Sequence, residues 1–158
     1  MKKLLCLVLA LVGVNVSVSV QASDAMNSAQ PIHNMFDAMR EHDGKKLLAQ
    51  FAPNALLQRA GKGSEIKTND LAKFADFVSK TDKYLDEKLL SVNISISDNL
   101  ASVWTPYAFY LDGKISHCGV NSFQLVKFEQ TWKIVYLIDN THSGNCDKFF
   151  KKHAKVSG

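Results

Sequence analysis

The sequence lacks the short motifs by which many enzymes are recognised. It contains no Gly-rich phosphate loop, no dinucleotide-binding fingerprint, no serine nucleophile elbow, no HExxH zinc motif and no C-x-x-C pair. Low-complexity segments and internal repeats are absent as well. These absences argue against the familiar nucleotide-dependent, metal-dependent and nucleophilic enzymes, and we expect no cofactor and no metal site.

The N-terminus has the pattern of a secretory signal. Two lysines follow Met1, an apolar run extends from Leu4 to Val14, and small residues occupy the −3 and −1 positions of Val20-Gln21-Ala22. A transmembrane anchor is the alternative, but the apolar run is too short to cross a bilayer. The sequence therefore predicts a signal peptide over 1–22 and a single mature domain over 23–158. We expect a periplasmic or secreted bacterial protein without a stable membrane anchor.

Removal of the signal changes the charge and the cysteine count. Lys and Arg fall from 19 to 17 against 15 acidic residues, which leaves about +2. Such a small, scattered charge does not predict nucleic-acid binding. Cys6 leaves with the signal, so the three cysteines become two, and an even count in an oxidising compartment favours a Cys118–Cys146 disulfide.

The first half of the mature chain predicts helices. Ile32, Met35, Phe36 and Met39 recur with helical spacing, which indicates a helix over 28–42 with Ser28 as its N-cap. Asp43 is expected to cap a short second helix that contains Leu47, Leu48 and Phe51, and Pro53 ends it. A short strand pair is predicted over 55–67, followed by a third helix that is capped by Thr68 or Asn69 and has Leu71, Phe74 and Val78 on its apolar face.

The second half predicts four consecutive antiparallel strands, over about 84–97, 100–111, 114–128 and 131–141. Apolar and polar residues alternate there, and Asp112-Gly113 is a typical hairpin turn. Helices followed by a long meander indicate an α+β domain in which helices cover one face of a strongly curved sheet. Such a cone-shaped fold can enclose a pocket. The tail over 148–153 is expected to be solvated or frayed.

Several segments together resemble one family. They are Ser102-Val103-Trp104-Thr105-Pro106-Tyr107-Ala108-Phe109-Tyr110, Asp112-Gly113-Lys114, Ser116-His117-Cys118-Gly119, Phe123-Gln124-Leu125-Val126-Lys127, Trp132-Lys133-Ile134, Asp139 and Cys146. Over residues 28–147 the chain resembles the nuclear transport factor 2-like superfamily, in its exported lumazine-binding-like or polyketide cyclase-like branch. The resemblance implies the cone-shaped, cystatin-like fold and frequent homodimers through the outer sheet face. Relatives include isomerases, dehydratases, epoxide hydrolases and non-catalytic binding modules.

Strand alternation selects the candidate site. His117 and Asn121 share one strand face, and together with Asp139 and Tyr107 or Tyr110 they form a candidate polar patch in an apolar pocket, with Trp104 as a further lining residue. Which face of the last strand points inward stays open, because both faces are apolar. The patch predicts either binding of a small apolar or aromatic ligand, or cofactor-independent isomerase, dehydratase or cyclase chemistry.

In the catalytic alternative, Asp139 abstracts a proton while Tyr107 or His117 stabilises the developing oxyanion. A purely structural interpretation is also open: His117 hydrogen-bonded on its strand, Asp139 at a strand end, and the tyrosines in the core. A zinc site was also considered, because His117, Cys118, His142 and Cys146 are residue types that bind zinc. Adjacent strand residues point to opposite faces, however, so His117 and Cys118 cannot easily share one ion.

Overall fold

The protein is described by a computed structural model that covers residues 16–153, with side chains from Met26 onward except that of Ser64. Four α-helices are α1 (Val16–Arg40), α2 (Gly44–Leu48), α3 (Leu71–Lys80) and α4 (Cys146–His153). Seven strands are β1 (Phe51–Ala60), β2 (Ile66–Asn69), β3 (Leu85–Leu89), β4 (Asn93–Ser97), β5 (Leu100–Leu111), β6 (Lys114–Phe128) and β7 (Thr131–Thr141). Residues 1–15 of the predicted signal lie outside the described residues, and cleavage near Ala22 stays a prediction.

The strands form one sheet in the order β2-β1-β7-β6-β5-β3, and β4 also pairs with β5. All pairs are antiparallel except β1 with β7, which is parallel. The predicted strands over 100–111, 114–128 and 131–141 are confirmed. The strand predicted over 84–97 is instead divided into β3 and β4, because the chain bulges where the Leu90 N–H bonds to the Pro106 carbonyl at 2.8 Å.

Helix α1 buries the predicted face against the sheet. Ile32, Met35, Phe36 and Met39 are all buried, and the Phe36 ring meets Phe123 edge-on at 6.4 Å. The helix begins before the predicted boundary, so Ser28 is a buried residue within it and not its N-cap. This face supplies the helical side of the core.

Of the helix N-caps predicted for α2 and α3, the first is confirmed and the second is wrong. Asp43 caps α2 as expected, because its side chain accepts the Lys46 N–H at 2.8 Å. The cap of α3 is Asp70, which accepts the N–H groups of the two residues that follow Leu71. The predicted caps Thr68 and Asn69 are instead paired with β1 as part of β2.

The tail over 148–153 was expected to be solvated or frayed. Its lysines are exposed, but the segment is helical and not frayed. It forms α4, in which Phe149 is buried between the rings of His142 and His153, at centroid distances of 4.9 and 4.3 Å. The Cys118–Cys146 disulfide is present, with 5.8 Å between the Cα atoms, and ties the start of α4 to β6. Among residues 16–153, no helix is long and apolar enough to cross a membrane.

Candidate functional site

A cavity of about 590 Å³ lies between the helices and the inner face of the sheet. Its apolar lining consists of Met35, Phe36, Met39, Leu57, Phe74, Phe77 and Leu137. Four polar side chains from the sheet, Arg59, Glu87, Asn121 and Asp139, also line it. Exposed residues of β2 and the start of α3 border the same space: Thr68, Asn69, Asp70 and Lys73. The cavity therefore combines an apolar wall with polar side chains from the sheet and from the β2–α3 border.

The polar side chains lie side by side because of strand register. Arg59 pairs with Asp139 across β1 and β7, Asp139 with Asn121 across β7 and β6, and Asn121 with Thr105 across β6 and β5. Residues paired across a sheet point to the same face, so these four form one transverse row. Glu87 joins it from β3. We call these five residues the polar row.

Hydrogen bonds connect the members of the polar row. The Arg59 guanidinium donates to both carboxylate oxygens of Asp139 through two nitrogens. Its Nε is 2.9 Å from Oδ1 and 3.0 Å from Oδ2, and its Nη2 donates to Oδ2 as well. The Asn121 Nδ2 donates to Glu87 Oε1 at 2.6 Å and to Thr105 Oγ1 at 3.3 Å. The row therefore contains one two-pronged ion pair next to one amide-bound carboxyl group.

A bulge on β7 decides which residues of that strand face inward. Tyr136 pairs with Gln124 and Ile134 with Leu125, so Val135 is an extra residue on β7. Ile134 is inward before the bulge, and Leu137 and Asp139 are inward after it. The sequence left open which alternate residues of β7 point inward. Both alternatives occur, one before Val135 with Ile134 inward and one after it with Leu137 and Asp139 inward.

Glu87 has the most strongly altered acidity at the site. Burial raises its pKa to about 8 from 4.5, the negative charges of Asp139 and Asp86 add to the rise, and the Asn121 hydrogen bond and Arg59 oppose it. Glu87 is therefore mainly protonated at pH 7. In that state its carboxyl group has one O–H to donate as well as an oxygen that accepts from Asn121.

Sequence reasoning missed Glu87 and Arg59. Glu87 carried a usable signal, because it alternates with Leu85 and Leu89 and so places an acid on an apolar strand face. Arg59 carried no such signal. Its position depends on parallel pairing between β1 and β7, whose paired residues Arg59 and Asp139 are 80 positions apart.

Asn121 and Asp139 come together as predicted, but His117 and Tyr107 lie beside the cavity and do not line it. Tyr107 is 1% exposed, and its hydroxyl donates to the Asn140 carbonyl at 3.0 Å. Burial raises the Tyr107 pKa, and the charges of Glu87 and Asp139 add to this. The hydroxyl passes close over Gly119. A Cβ added at that residue would lie 1.9 Å from the Asn140 oxygen. The Tyr107 hydroxyl is therefore occupied by a hydrogen bond to the backbone of β7.

The His117 ring packs against Phe109 and Tyr107, with centroid distances of 5.0 and 5.7 Å. Burial lowers its pKa, the Arg59 charge lowers it further and Asp139 opposes the change, so the imidazole is neutral at pH 7. Its Nδ1 is 3.2 Å from Ser116 Oγ. His117 has the environment that the structural interpretation predicted for it.

Trp104 and Tyr110 are outside the cavity, contrary to their predicted place in its lining. Trp104 pairs with Ser122 on the outer face and is 50% exposed. Tyr110 follows the inward Phe109, and the ammonium of Lys88 lies 4.8 Å from its ring centroid. Strand alternation explains both positions, because their neighbours Thr105 and Phe109 occupy the inner face.

The predicted assignment of the cysteines agrees with the geometry. The sulfurs of Cys118 and Cys146 are bonded to each other, so neither is available to a metal ion. Across residues 16–153, no group of three or more His, Cys, Asp or Glu side chains is arranged to hold a metal.

Three solved structures share this architecture. A proposed dehydratase of the nuclear transport factor 2-like family from Streptomyces avermitilis is 14% identical, with a TM-score of 0.64 over 78% of this chain and 99% of that one. A protein of unknown function with a cystatin-like fold from Nostoc punctiforme is 13% identical, with a TM-score of 0.62 over 78% and 94%. This chain has the nuclear transport factor 2-like fold.

A proposed scytalone dehydratase from Novosphingobium aromaticivorans is the third similar structure, at 12% identity and a TM-score of 0.67 over 79% of this chain and 88% of that one. No family model and no curated protein matches the sequence. Identities this low establish the shared fold alone. The fold predicted from the resemblance is therefore confirmed, whereas the exported branch stays a prediction.

Proposed function

We propose that the protein is an exported binding module whose cavity takes a small, mainly apolar or aromatic molecule. The supporting observation is the cavity itself, about 590 Å³ with seven apolar lining side chains and the polar row on its sheet side. Ligand sites commonly combine an apolar lining with a few polar groups that fix orientation. In this proposal the polar end of the ligand meets Glu87 and Asn121.

The charges of the polar row favour an uncharged ligand group at the sheet wall of the cavity. Arg59 and Asp139 neutralise each other in a two-pronged pair, and Glu87 is mainly protonated at pH 7. A charged ligand group at this wall would lose its hydration without meeting an unpaired opposite charge. A hydroxyl or carbonyl group can instead accept from the Glu87 O–H.

Two neighbouring leucines on β1 offer a matched test of the binding site. Leu57 lines the cavity, whereas Leu56 is on the other face and 50% exposed. Leu57→Trp should fill the cavity and abolish binding of 2-naphthol, while Leu56→Trp should leave the Kd within about twofold, because surface changes have small effects. Calorimetry measures both constants, and circular dichroism checks that each variant folds. No binding to the original protein, or an equal effect of both changes, would contradict the proposal.

Native mass spectrometry addresses the natural ligand. Protein purified from the periplasm of an expressing cell should retain a small molecule that Leu57→Trp lacks and Leu56→Trp keeps. The same spectrum reports the mass loss of two hydrogens on disulfide formation and the number of subunits. A bound mass that is unaffected by Leu57→Trp would place the ligand elsewhere.

A second candidate function is cofactor-independent acid–base catalysis of the isomerase, dehydratase or cyclase type. The observation that favours it is the carboxyl group of Glu87, which has a pKa raised to about 8 within a cavity. Protonated Glu87 can donate to a leaving or carbonyl oxygen, and its ionised form can accept a proton. Asp139, the predicted base, is engaged by Arg59 through both carboxylate oxygens.

Glu87→Gln separates binding from catalysis. Glutamine keeps the size and hydrogen bonding of the side chain but cannot transfer a proton. Under the binding proposal, the Kd for 2-naphthol changes by less than about tenfold, since one neutral hydrogen bond is altered. Under the catalytic alternative, turnover of a substrate found by screening hydroxylated aromatic compounds falls by about 10²- to 10⁴-fold. Turnover that survives Glu87→Gln would exclude Glu87 as the proton-transfer group.

Export and homodimer formation are parts of the proposal that rest on sequence. The signal-like N-terminus supports a periplasmic or secreted location, and the Cys118–Cys146 disulfide suits an oxidising compartment. The outer sheet face carries half-exposed Trp104, which suits a contact with a second copy. Cell fractionation tests the location: recovery of full-length, reduced protein in the cytoplasm would contradict export.

A further inference from the structure

The open end of the cavity differs in charge from its sheet wall. Exposed residues of β2 and the start of α3 border it, and we call them the mouth: Thr68, Asn69, Asp70 and Lys73. Glu87 lines the same cavity from β3, and β2 and β3 are at opposite ends of the strand order. A ligand that spans the cavity therefore meets the Glu87 carboxyl group at one end and the mouth at the other.

Lys73 brings an accessible positive charge to the mouth. Among the described residues that line the cavity it is the one lysine. The other lysine of α3, Lys80, forms an ion pair with Asp76 at 2.8 Å. The Lys73 ammonium has no ion pair or hydrogen bond with any side chain that the structure describes, and the residue is exposed. This cation can therefore pair with a group that comes from outside the chain.

Helix α3 presents an aromatic ring beside this cation. Phe77 lines the cavity and is 53% exposed, and it follows Lys73 by four positions, which places both on one helix face. The helix is held in place because Val78 is buried and the Ser79 hydroxyl accepts the Gly44 N–H at 3.0 Å. A ring surface and an ammonium thus lie side by side at the mouth, where they suit a ligand with an apolar body and an anionic end.

Asp70 is the acidic residue of the mouth. Its Oδ1 accepts the Ala72 and Lys73 N–H groups at 2.9 and 3.1 Å, so the carboxylate caps α3. It forms no ion pair with the Lys73 ammonium. Its negative charge opposes an anion at the mouth, so Asp70 and Lys73 should affect the binding of an anion in opposite directions.

We propose that the ligand of the cavity carries a carboxylate, which stays at the mouth and pairs with the Lys73 ammonium. The inference rests on the proposed binding function and narrows the ligand to a small aromatic acid with a hydroxyl or carbonyl group at its far end. At the mouth a carboxylate retains part of its hydration, whereas at the sheet wall it would lose that hydration without meeting an unpaired cation. The aromatic body packs against Phe74 and Phe77 between these two ends.

A pair of compounds tests the contribution of the charge alone. 6-Hydroxy-2-naphthoate and 6-hydroxy-2-naphthamide share a skeleton and a hydroxyl group, and differ at the opposite end by a carboxylate or a neutral amide. Calorimetry at low ionic strength should give a Kd for the carboxylate about two- to fivefold below that for the amide, the size expected of one partly exposed ion pair. Added salt should narrow the difference, since it screens exposed charges.

Three variants assign this preference to the mouth. Lys73→Gln should make the two Kd values equal, whereas Lys148→Gln, which removes an exposed positive charge on α4, should keep the preference. Asp70→Asn should increase the preference, because asparagine caps a helix about as well as aspartate and has no charge. The ratio of the two Kd values is the readout, since a general loss of cavity shape weakens both compounds alike.

Two kinds of failure are distinguishable. If 2-naphthol binds but the original protein does not prefer the carboxylate, the inference is overturned and the proposed binding function stands. A preference that survives Lys73→Gln, is lost equally in Lys148→Gln, or falls in Asp70→Asn would overturn it in the same way. If neither 2-naphthol nor either of the two compounds binds, the proposed function fails and the inference fails with it.

Discussion

The two faces of the β5–β6–β7 sheet present the same strands to different surroundings. On the inner face, Asn121 and Asp139 are joined to neighbours by hydrogen bonds beside a cavity. On the outer face, Trp104 is half exposed, and a disulfide from Cys118 ties α4 to β6. Adjacent residues on one strand thus serve either a polar site or the attachment of a helix. The polar residues that line the cavity are concentrated on one face because strand register aligns them there.

The largest effect is expected from the covalent link on the outer face. Cys146→Ser opens a loop with a sequence separation of 28 and should lower the free energy of unfolding by about 3–4 kcal/mol in the chain-entropy model. Urea denaturation measures the loss. Dithiothreitol should reproduce it in the original protein and add nothing in the variant. A loss below about 1 kcal/mol would mean that α4 packs independently of the disulfide.

The next effect is expected on the inner face at Gly119. The Cβ of Gly119→Ala would collide with the Asn140 carbonyl and crowd the Tyr107 hydroxyl, so the free energy of unfolding should fall by about 1–3 kcal/mol. Ser122→Ala, on the opposite face of the same strand, is the control and should change it by less than about 0.5 kcal/mol. Equal effects in thermal or urea denaturation would remove the distinction between the faces.

Another effect on the free energy of unfolding depends on pH and on Glu87. Its pKa is about 8 in the folded chain and near 4.5 when unfolded, so between these values the folded state retains a proton that the unfolded state loses. The contribution of Glu87 to the free energy of unfolding therefore falls as pH rises from about 5 to 8. Glu87→Gln removes that fall and, at about 1.4 kcal/mol for each unit of pKa difference, should gain up to about 3 kcal/mol at pH 8 relative to pH 5.

The control for Glu87→Gln is Glu65→Gln, since Glu65 is exposed. Its difference in unfolding free energy from the original protein should be the same at pH 5 and pH 8. If Glu87→Gln behaves like this control in urea denaturation at both pH values, the burial of Glu87 has no energetic consequence for the carboxyl group.

The smallest effect on stability is expected at Trp104. Because its side chain is half exposed, Trp104→Ser should change the free energy of unfolding by less than about 0.5 kcal/mol. The same change should weaken the proposed homodimer, which sedimentation velocity would detect as a shift toward monomer at micromolar concentration. A dimer unaffected by Trp104→Ser would move the contact away from this part of the outer face.

The meander could be predicted from the sequence because its signals are local. Alternation and the Asp112-Gly113 turn gave β5 and β6 with their observed bounds, and both turn residues have positive φ, 50° and 75°. The prediction of one strand over 84–97 failed because a bulge divides the strand. No glycine or proline in this segment marks the position of the bulge. Hydrogen bonding of Leu90 to β5 decides that break, and this is a tertiary effect.

The site could be predicted only in part, because it depends on pairings between distant segments. Asn121 was selected by alternation, and Asp139 was a candidate although the inward face of its strand was left open; both line the cavity. Arg59 enters through the parallel β1–β7 pair, and Val135 reverses the phase of β7, so neither effect is visible from local periodicity. Trp104 and Tyr110 were misplaced because aromatic character indicates burial in general and does not specify which face of a strand is buried.

A ¹³C titration of the Glu87 side-chain carboxyl is the most direct test of its raised pKa, on which the interpretation of the cavity depends. Specific assignment by comparison with Glu87→Gln identifies its signal, and the chemical shift is followed from pH 3 to pH 10. The structure predicts a midpoint at about 8, caused first by burial. A midpoint near the ordinary 4.5 would contradict it, because Glu87 would then be an ionised, solvated carboxylate at pH 7.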